Sequence, residues 1–359
     1  KYRETWDGKI MGLSAYGKSD ALKNLKEYTL SKDLSYNEFP YVIFDYQKDF
    51  ALKTADEQAY ILQKNFDNAL VDYVSELKRL NYLEENICLA GGSFLNVLGN
   101  SRIKELGLNI HIPPCTNDVG LHFGAACYGA HQHHQEVVLP KNIALLGKTY
   151  SDEEIEPELK GLDYHKFDTI EEVCKFTAGK LAQNKIIAWF QNRSEFGARA
   201  LGSRSLLMNP TPKENKDIMN HRVKHREYWR PFAGIILEEH LTEYFEEDYI
   251  SPYMLYSFTV KEEKVNEIAA ITHEDRTCRI QTITEEYQPE TTKLLREYYE
   301  LTGIPVVLNT SFNDNGEPIV ETPADAIRAL NSLDIDFLVI GNYAVIKTHK
   351  NNKKKVGYG

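Results

Sequence analysis

Two arginines set among small residues, Arg199 and Arg204, mark the first chemistry in this chain. They lie in the segment from Ser194 to Ser205, directly after the apolar run Lys185–Phe190. An apolar run that opens into a glycine-bearing turn is the pattern of a strand delivering an anion-binding loop. Guanidinium forks there face oxygen ligands in the plane they prefer. Three further polar clusters accompany it, at Lys224–Arg230, Arg276–Arg279 and Asn309–Glu317. Together they point to an anionic substrate such as a nucleotide or an acyl phosphate. A structural arginine network is the alternative for any one cluster alone.

A second group of residues lies earlier in the chain. Gly91 and Gly92 follow the apolar run Asn86–Ala90 and leave bare backbone for a ligand to approach. Asn96 comes next, with a side chain suited to a ribose, a phosphate, an acceptor or simply a backbone group. Asp118, between Asn117 and Gly120, reads by itself as an Asx turn. The tract His131–His134 has no acid or cysteine at ligand spacing and is set aside as a metal site. Glu317 and Asp325 read as a turn residue and a helix first-turn carboxylate.

These residues need a scaffold, and the chain is long enough for two cores. It has 359 residues, 42% of them hydrophobic, and a formal charge of -11 from 42 basic and 53 acidic side chains. That balance argues against broad contact with nucleic acid. No apolar run is long enough for a membrane span and no leader opens the chain, so the expectation is a cytoplasmic protein without membrane or nucleic-acid partners. The five cysteines are odd in number and widely spaced, as reduced core thiols are. Lys1 in place of a start methionine, and the segment Met11–Gly17, which reads as a functional loop arriving with no fold before it, suggest a chain that begins inside a longer protein.

Periodicity supplies the elements. Thr54 and Glu57 form a capping box ahead of a helix to about Leu80, with Ala59, Leu62, Phe66, Leu70, Tyr73, Leu77 and Leu80 as its apolar stripe. A helix near Leu95–Leu106, a short strand at Leu108–Ile112 and a closely packed small-residue helix at Leu121–Ala130 follow. Residues 136–164 read as a linker. Beyond it, Thr169 caps a helix to Leu181, Lys185–Phe190 is a strand, Thr211 and Pro212 start a helix, and Tyr253–Val260 alternates. Glu290–Leu301 is a helix ended by Gly303. Pro305–Leu308 is a buried strand, Thr322 caps a helix to Leu330, and Asp336–Ile340 ends the core. The class is α/β, mixed α+β in detail.

Several segments then resemble the O-carbamoyltransferases of the nodulation and antibiotic-tailoring family, built like the hydrogenase-maturation carbamoyltransferase. They are Met11–Gly17, Gly91–Asn96, Pro113–Gly120, Glu195–Arg204, Val223–Phe232, Asn309–Asn313 and Gly316–Asp325, in family order over almost the whole chain. The resemblance implies that residues 1–135 are the later part of an actin/sugar-kinase-like transfer domain. Residues 165–350 would be a threonylcarbamoyl-adenylate-synthase-like domain that makes carbamoyl adenylate from ATP and carbamoyl phosphate, with 351–359 a basic tail. It implies catalytic roles for Arg199, Lys224, Arg279 and Ser311, and nucleotide-side roles for Gly91, Gly92, Asn96, Arg226, Arg230, Asn309 and Thr310. Asp118 matches a metal-ligating aspartate, with Fe2+ or another transition metal completed by an upstream histidine pair absent from this chain. Mg2+ would travel with the ATP phosphates. The acceptor would be a hydroxyl of a small molecule or glycan, and a homodimer is left open. Carbamoylation of another protein, or a nucleotide-binding scaffold with an incomplete transfer site, are the competing readings. Ala198, Gly234 and Thr211 depart from the family pattern without removing a functional group.

Overall fold

The computed structural model of the chain describes residues 7–18 and 52–347, so the expected tail at 351–359 lies outside the described residues. The first part opens with α1 (Asp7–Leu13) and a 3-10 turn at Ser14–Tyr16, where a loop was expected. A Cβ on Gly17 would stand 2.3 Å from the Tyr60 Cβ, so glycine lets this turn close onto α2 (Ala55–Arg79). The Thr54–Glu57 capping box is present, with the Thr54 N–H donating to the Glu57 carboxylate at 2.9 Å. Burial on α2 is broader than one apolar stripe: Gln63 and Asp67 are buried, and Leu80 is exposed.

β1 (Asn86–Cys88) and β2 (Asn109–His111) pair in parallel, with α3 (Val97–Lys104) between them in sequence. Val74, Ile103 and Leu108 form their small core. α4 (Gly120–Gln132) corrects the expectation of close packing: none of its residues is buried, and Leu121 and Tyr128 are 70% and 66% exposed.

The expected linker at 136–164 is shorter than its composition suggests. Ala144 and Leu145 are buried, Leu145 bridges to Glu195, and Ile155 and Leu159 around α5 (Asp152–Ile155) enter the main core. Proline and glycine in this stretch mark turns within the fold rather than a tether.

The second part is built on a nine-stranded mixed sheet among the described residues. In chain order its strands are β3 (Tyr164–Lys166), β4 (Ile187–Phe190), β5 (Arg204–Met208), β6 (Ala233–Leu237), β7 (Ser257–Thr259), β8 (Thr277–Ile283), β9 (Val306–Ser311), β10 (Phe337–Ile340) and β11 (Tyr343–Ile346). In space they run β3-β11-β10-β4-β5-β9-β6-β8-β7, with β10/β4 and β6/β8 parallel and the other pairs antiparallel.

β4 is buried at every residue because both sheet faces are covered. Ile187 and Trp189 pack with α6 (Ile170–Ala182) and α9 (Pro289–Thr302), while Ala188 and Phe190 belong to the opposite core with α8 (Leu241–Tyr244) and α10 (Pro323–Ser332). Thr169 and Thr322 cap α6 and α10 as expected, and Gly303 ends α9 in the left-handed conformation at φ 72°. Thr211 does not start α7 (Glu214–Ile218): its hydroxyl donates to the Glu267 carbonyl instead, and Lys213 occupies the cap. β3, β5, β6, β8 and β11 are absent from the sequence reading. The first two are short or polar, and β11 follows β10 after a two-residue turn.

Candidate active site

Strand register gathers the cationic clusters. Ala233 on β6 pairs with Arg279 on β8 and with Asn309 on β9, so Arg279 and Asn309 flank one position of the sheet. Ser311 lies two residues further along β9, opposite Ser205.

The loop from Ser194 to Ser203 is tied to this floor from below. Glu195 Oε1 accepts from the backbone N–H groups of Leu201, Ser203 and Arg204 at 2.8, 2.8 and 3.1 Å. Asn309 Nδ2 donates to the Ala200 carbonyl at 2.9 Å. Gly197 sits at φ 137°, and a Cβ there would come within 2.8 Å of the Pro114 carbonyl, so the loop rests on the first part's 113–118 turn.

The two loop arginines part company. Arg204 is fully buried, stacks on Phe190 with 3.5 Å from guanidinium carbon to ring centroid, and donates to the Gln191, Ser203 and Asn192 carbonyls. It is structural. Among the described residues Arg199 makes one hydrogen bond, to the Leu95 carbonyl at 3.1 Å, and its Nε is sealed from solvent without a partner. Arg279 Nε is likewise sealed and unpartnered. Burial pushes Arg199 well below the usual arginine range, with Arg279 adding like-charge repulsion. Burial lowers Arg279 to about 10, only partly offset by Cys278, with Arg230 lowering it further.

Lys224 is 5% exposed, and its ammonium donates to the Ser311 carbonyl (2.6 Å), the Ser311 hydroxyl (3.3 Å), the Asn313 carbonyl (3.0 Å) and Asn313 Oδ1 (2.8 Å). These are neutral acceptors. Burial therefore carries its pKa down to about 7, with Arg226 pushing it lower and Asp314 opposing. An incoming phosphate would restore the charge.

Arg226 is occupied by Asn220 Oδ1 (2.7 Å), the Pro231 carbonyl (3.2 Å) and the Phe232 ring, and burial lowers it to about 9. Arg230 is 3.8 Å from Glu227, which also pairs with Lys9 of α1. Thr310 stands in β9 opposite Leu206.

Among the sequence-derived candidates, Arg199, Lys224, Arg279 and Ser311 are thus brought together, with Arg226 and Arg230 at their edge. Asn309 acts through the loop it holds. Asn313 and Glu195 were quoted in motifs but given no role. The signal for Asn313 was its spacing two residues after Ser311, which returns its side chain to the same lysine.

The first part is different. Gly91 and Gly92 are exposed at the end of β1, with the Gly91 N–H donating to the Thr116 carbonyl. Asn96 is the N-cap of α3 rather than a first-turn residue. Its carbonyl oxygen accepts from the Gly99 N–H and Gln63, and its amide donates back to Gln63. Of the two roles open to it, the structure shows Asn96 satisfying a backbone group. Asp118 is exposed on the turn before α4, and no group of three His, Cys, Asp or Glu suited to a metal occurs among the described residues. A small cavity of about 60 Å³ joins the parts, lined by Met11 and Gly12 of the first and His273 and Arg279 of the second. No helix among the described residues is long and apolar enough to cross a membrane.

Comparison with known proteins agrees with this layout. A model of the carbamoyltransferase N-terminus matches residues 1–127, and one of the carbamoyltransferase C-terminus matches residues 178–347. The uncharacterized protein sll1178 of Synechocystis is 36% identical over 95% of this chain and 64% of its own length. Nodulation protein NolNO of Sinorhizobium fredii is 36% identical over 73% of this chain and 40% of its own. The uncharacterized protein MJ1051 of Methanocaldococcus jannaschii is 33% identical over 95% and 68%. The chain thus spans less than two thirds of the first two relatives. With both family models matched in order along one chain, this protein belongs to the carbamoyltransferases, a family of transferase enzymes.

Proposed function

We propose that the protein activates carbamoyl phosphate with ATP, as carbamoyl adenylate, and passes the carbamoyl group to a hydroxyl of a small molecule or glycan. One observation carries this reading. Arg199, Lys224 and Arg279 crowd together in a desolvated site, and no ion pair engages any of them among the described residues. Like charges held in low dielectric destabilise the free protein unless an anion joins them. Two phosphorylated reactants supply that anion, and the same cations suppress their mutual repulsion.

Water takes the phosphoryl group of carbamoyl phosphate, leaving carbamate and phosphate. A carbamate oxygen attacks the α-phosphorus of ATP and pyrophosphate leaves with the bond's electron pair. The acceptor oxygen then attacks the carbamoyl carbon, AMP departs, and the acceptor's proton is released. In this scheme Arg199 and Arg279 clamp phosphate oxygens, Lys224 supplies a charge to the reacting phosphoryl group, and Ser311 donates its hydroxyl. Mg2+ arrives on the ATP phosphates. Asp118 offers one carboxylate, and among the described residues no group of three or more His, Cys, Asp or Glu suited to a metal occurs, so the scheme routes no step through a transition ion.

The test supplies ATP and carbamoyl phosphate and follows pyrophosphate and carbamoyl adenylate. Pyrophosphate that depends on both reactants is expected. Folded protein that yields neither product favours the nucleotide-binding scaffold.

A further inference from the structure

Asn313 stands two residues after Ser311, where β9 leaves the sheet, and the residue between them decides how both point. Phe312 is fully buried. Its N–H donates to the Arg204 carbonyl at 3.0 Å, and its carbonyl accepts from the Val320 N–H at 3.0 Å. With Phe312 pinned inward, the side chains on either side of it turn to the other face, toward Lys224.

Asn313 Oδ1 accepts there from Lys224 Nζ at 2.8 Å and from the Ser311 hydroxyl at 2.6 Å. Its Nδ2 donates to the Glu317 carbonyl at 2.6 Å. That bond settles which amide atom faces the lysine, because a flipped amide would set N–H groups against an ammonium. Ser311 Oγ accepts from the lysine at 3.3 Å, so the three side chains close a ring.

The ring carries no negative charge. The Lys224 ammonium donates to two carbonyls, a hydroxyl and this amide oxygen, all of them neutral. Arg226 and Arg230 act on it with like charge, and Asp314 is the acid that opposes them. An aspartate has the shape of asparagine, yet at 313 it would supply the ion pair that the site leaves to its ligand. An apolar residue there would take an acceptor from both the ammonium and the Ser311 hydroxyl in a dry place. The amide avoids both outcomes.

We propose that Asn313 is a positioning residue of the activation site: it aims the Lys224 ammonium and the Ser311 hydroxyl while leaving the lysine's charge for an incoming phosphate. This role rests on the carbamoyl-adenylate reading, since Asn313 acts through Lys224.

An NMR titration of the free full chain, labelled at lysine Cε, tests it, with Lys224 assigned by the signal lost in Lys224→Met. Asn313→Asp should raise the Lys224 midpoint by about one pH unit or more, because a carboxylate in the amide's place pairs with the ammonium. Asn313→Leu should lower the midpoint, because the ammonium loses an acceptor, and Asn313→Ala carries this arm if the leucine variant does not fold. At pH 6, where the lysine is largely charged in both proteins, Asn313→Asp should also bind pyrophosphate about tenfold or more weakly than the unsubstituted chain. A residue that only closed the turn to Glu317 would leave the lysine's proton alone. Unmoved midpoints, midpoints moved the same way by aspartate and leucine, or undiminished pyrophosphate binding in Asn313→Asp overturns the proposal. Pyrophosphate release from ATP and carbamoyl phosphate, measured on the unsubstituted chain, separates the two failures. Its absence with opposite midpoint shifts counts against the activation chemistry, whereas intact release without those shifts counts against Asn313 alone.

Discussion

The cationic floor of the second part and the exposed turns of the first part hold their polar groups in opposite ways. Lys224 and the Nε atoms of Arg199 and Arg279 are removed from water, while backbone carbonyls accept from the Lys224 ammonium and from Nη2 of Arg199. Gly91, Gly92 and Asp118 face outward, and the one buried-side candidate among them, Asn96, is already used as a cap. A charge kept dry has to be aimed by its own fold. An exposed turn acquires its chemistry from whatever comes to face it, so its residues alone say less.

The contrast is broken most directly by paired substitutions. Lys224→Ala should lower carbamoyl-dependent pyrophosphate release roughly 10- to 150-fold, the loss of one charged donor worth about 1.5–3 kcal/mol. Asp118→Asn should leave the same half-reaction unchanged. Equal losses in both would erase the distinction between the two regions.

A smaller effect separates the arginines of one loop. Arg204→Met strands the carbonyls of Gln191, Asn192 and Ser203 and should cost about 1–3 kcal/mol in urea unfolding. Arg199→Met removes a desolvated cation beside Arg279, so its stability should hold or rise while pyrophosphate binding weakens. Comparable destabilisation in the two variants would make Arg199 structural as well.

The smallest signature is a proton. With Lys224 near 7 in the free protein, the amine is largely neutral at pH 8, and a bound phosphate favours the ammonium. Calorimetry in two buffers should show uptake approaching one proton on pyrophosphate binding at pH 8, fading below pH 7 where the lysine is already charged. Affinity should fall as pH rises through 7, by at most about tenfold per pH unit. Identical uptake in Lys224→Ala would assign the proton elsewhere.

Much of this arrangement was legible in the sequence because it rests on local rules. Capping threonines at 54, 169 and 322, and Gly303, located helices within a residue or two, and the apolar run at 185–190 located β4. What escaped depends on partners distant in sequence. Arg204 looked like Arg199 until Phe190 and three carbonyls claimed it. Asn96 was open to a ligand or a backbone role, and its pairing with Gln63, 33 residues away, was not visible in the local sequence. The stretch 144–159 had the composition of a tether but supplied Ile155 and Leu159 to the core. Thr211 carried a helix-start signal that Glu267 overrode.

The single carboxylate oxygen of Glu195 that gathers three amides has a consequence for how this loop can change. The knot closes behind the tip, so the path leading into and out of Arg199 is set by main-chain N–H groups that every amino acid but proline possesses. Residue 198, exposed at that tip, is then open to replacement without relocating the guanidinium. Variation among kindred sequences can collect there, while an exchange at 195 would let the whole hairpin drift.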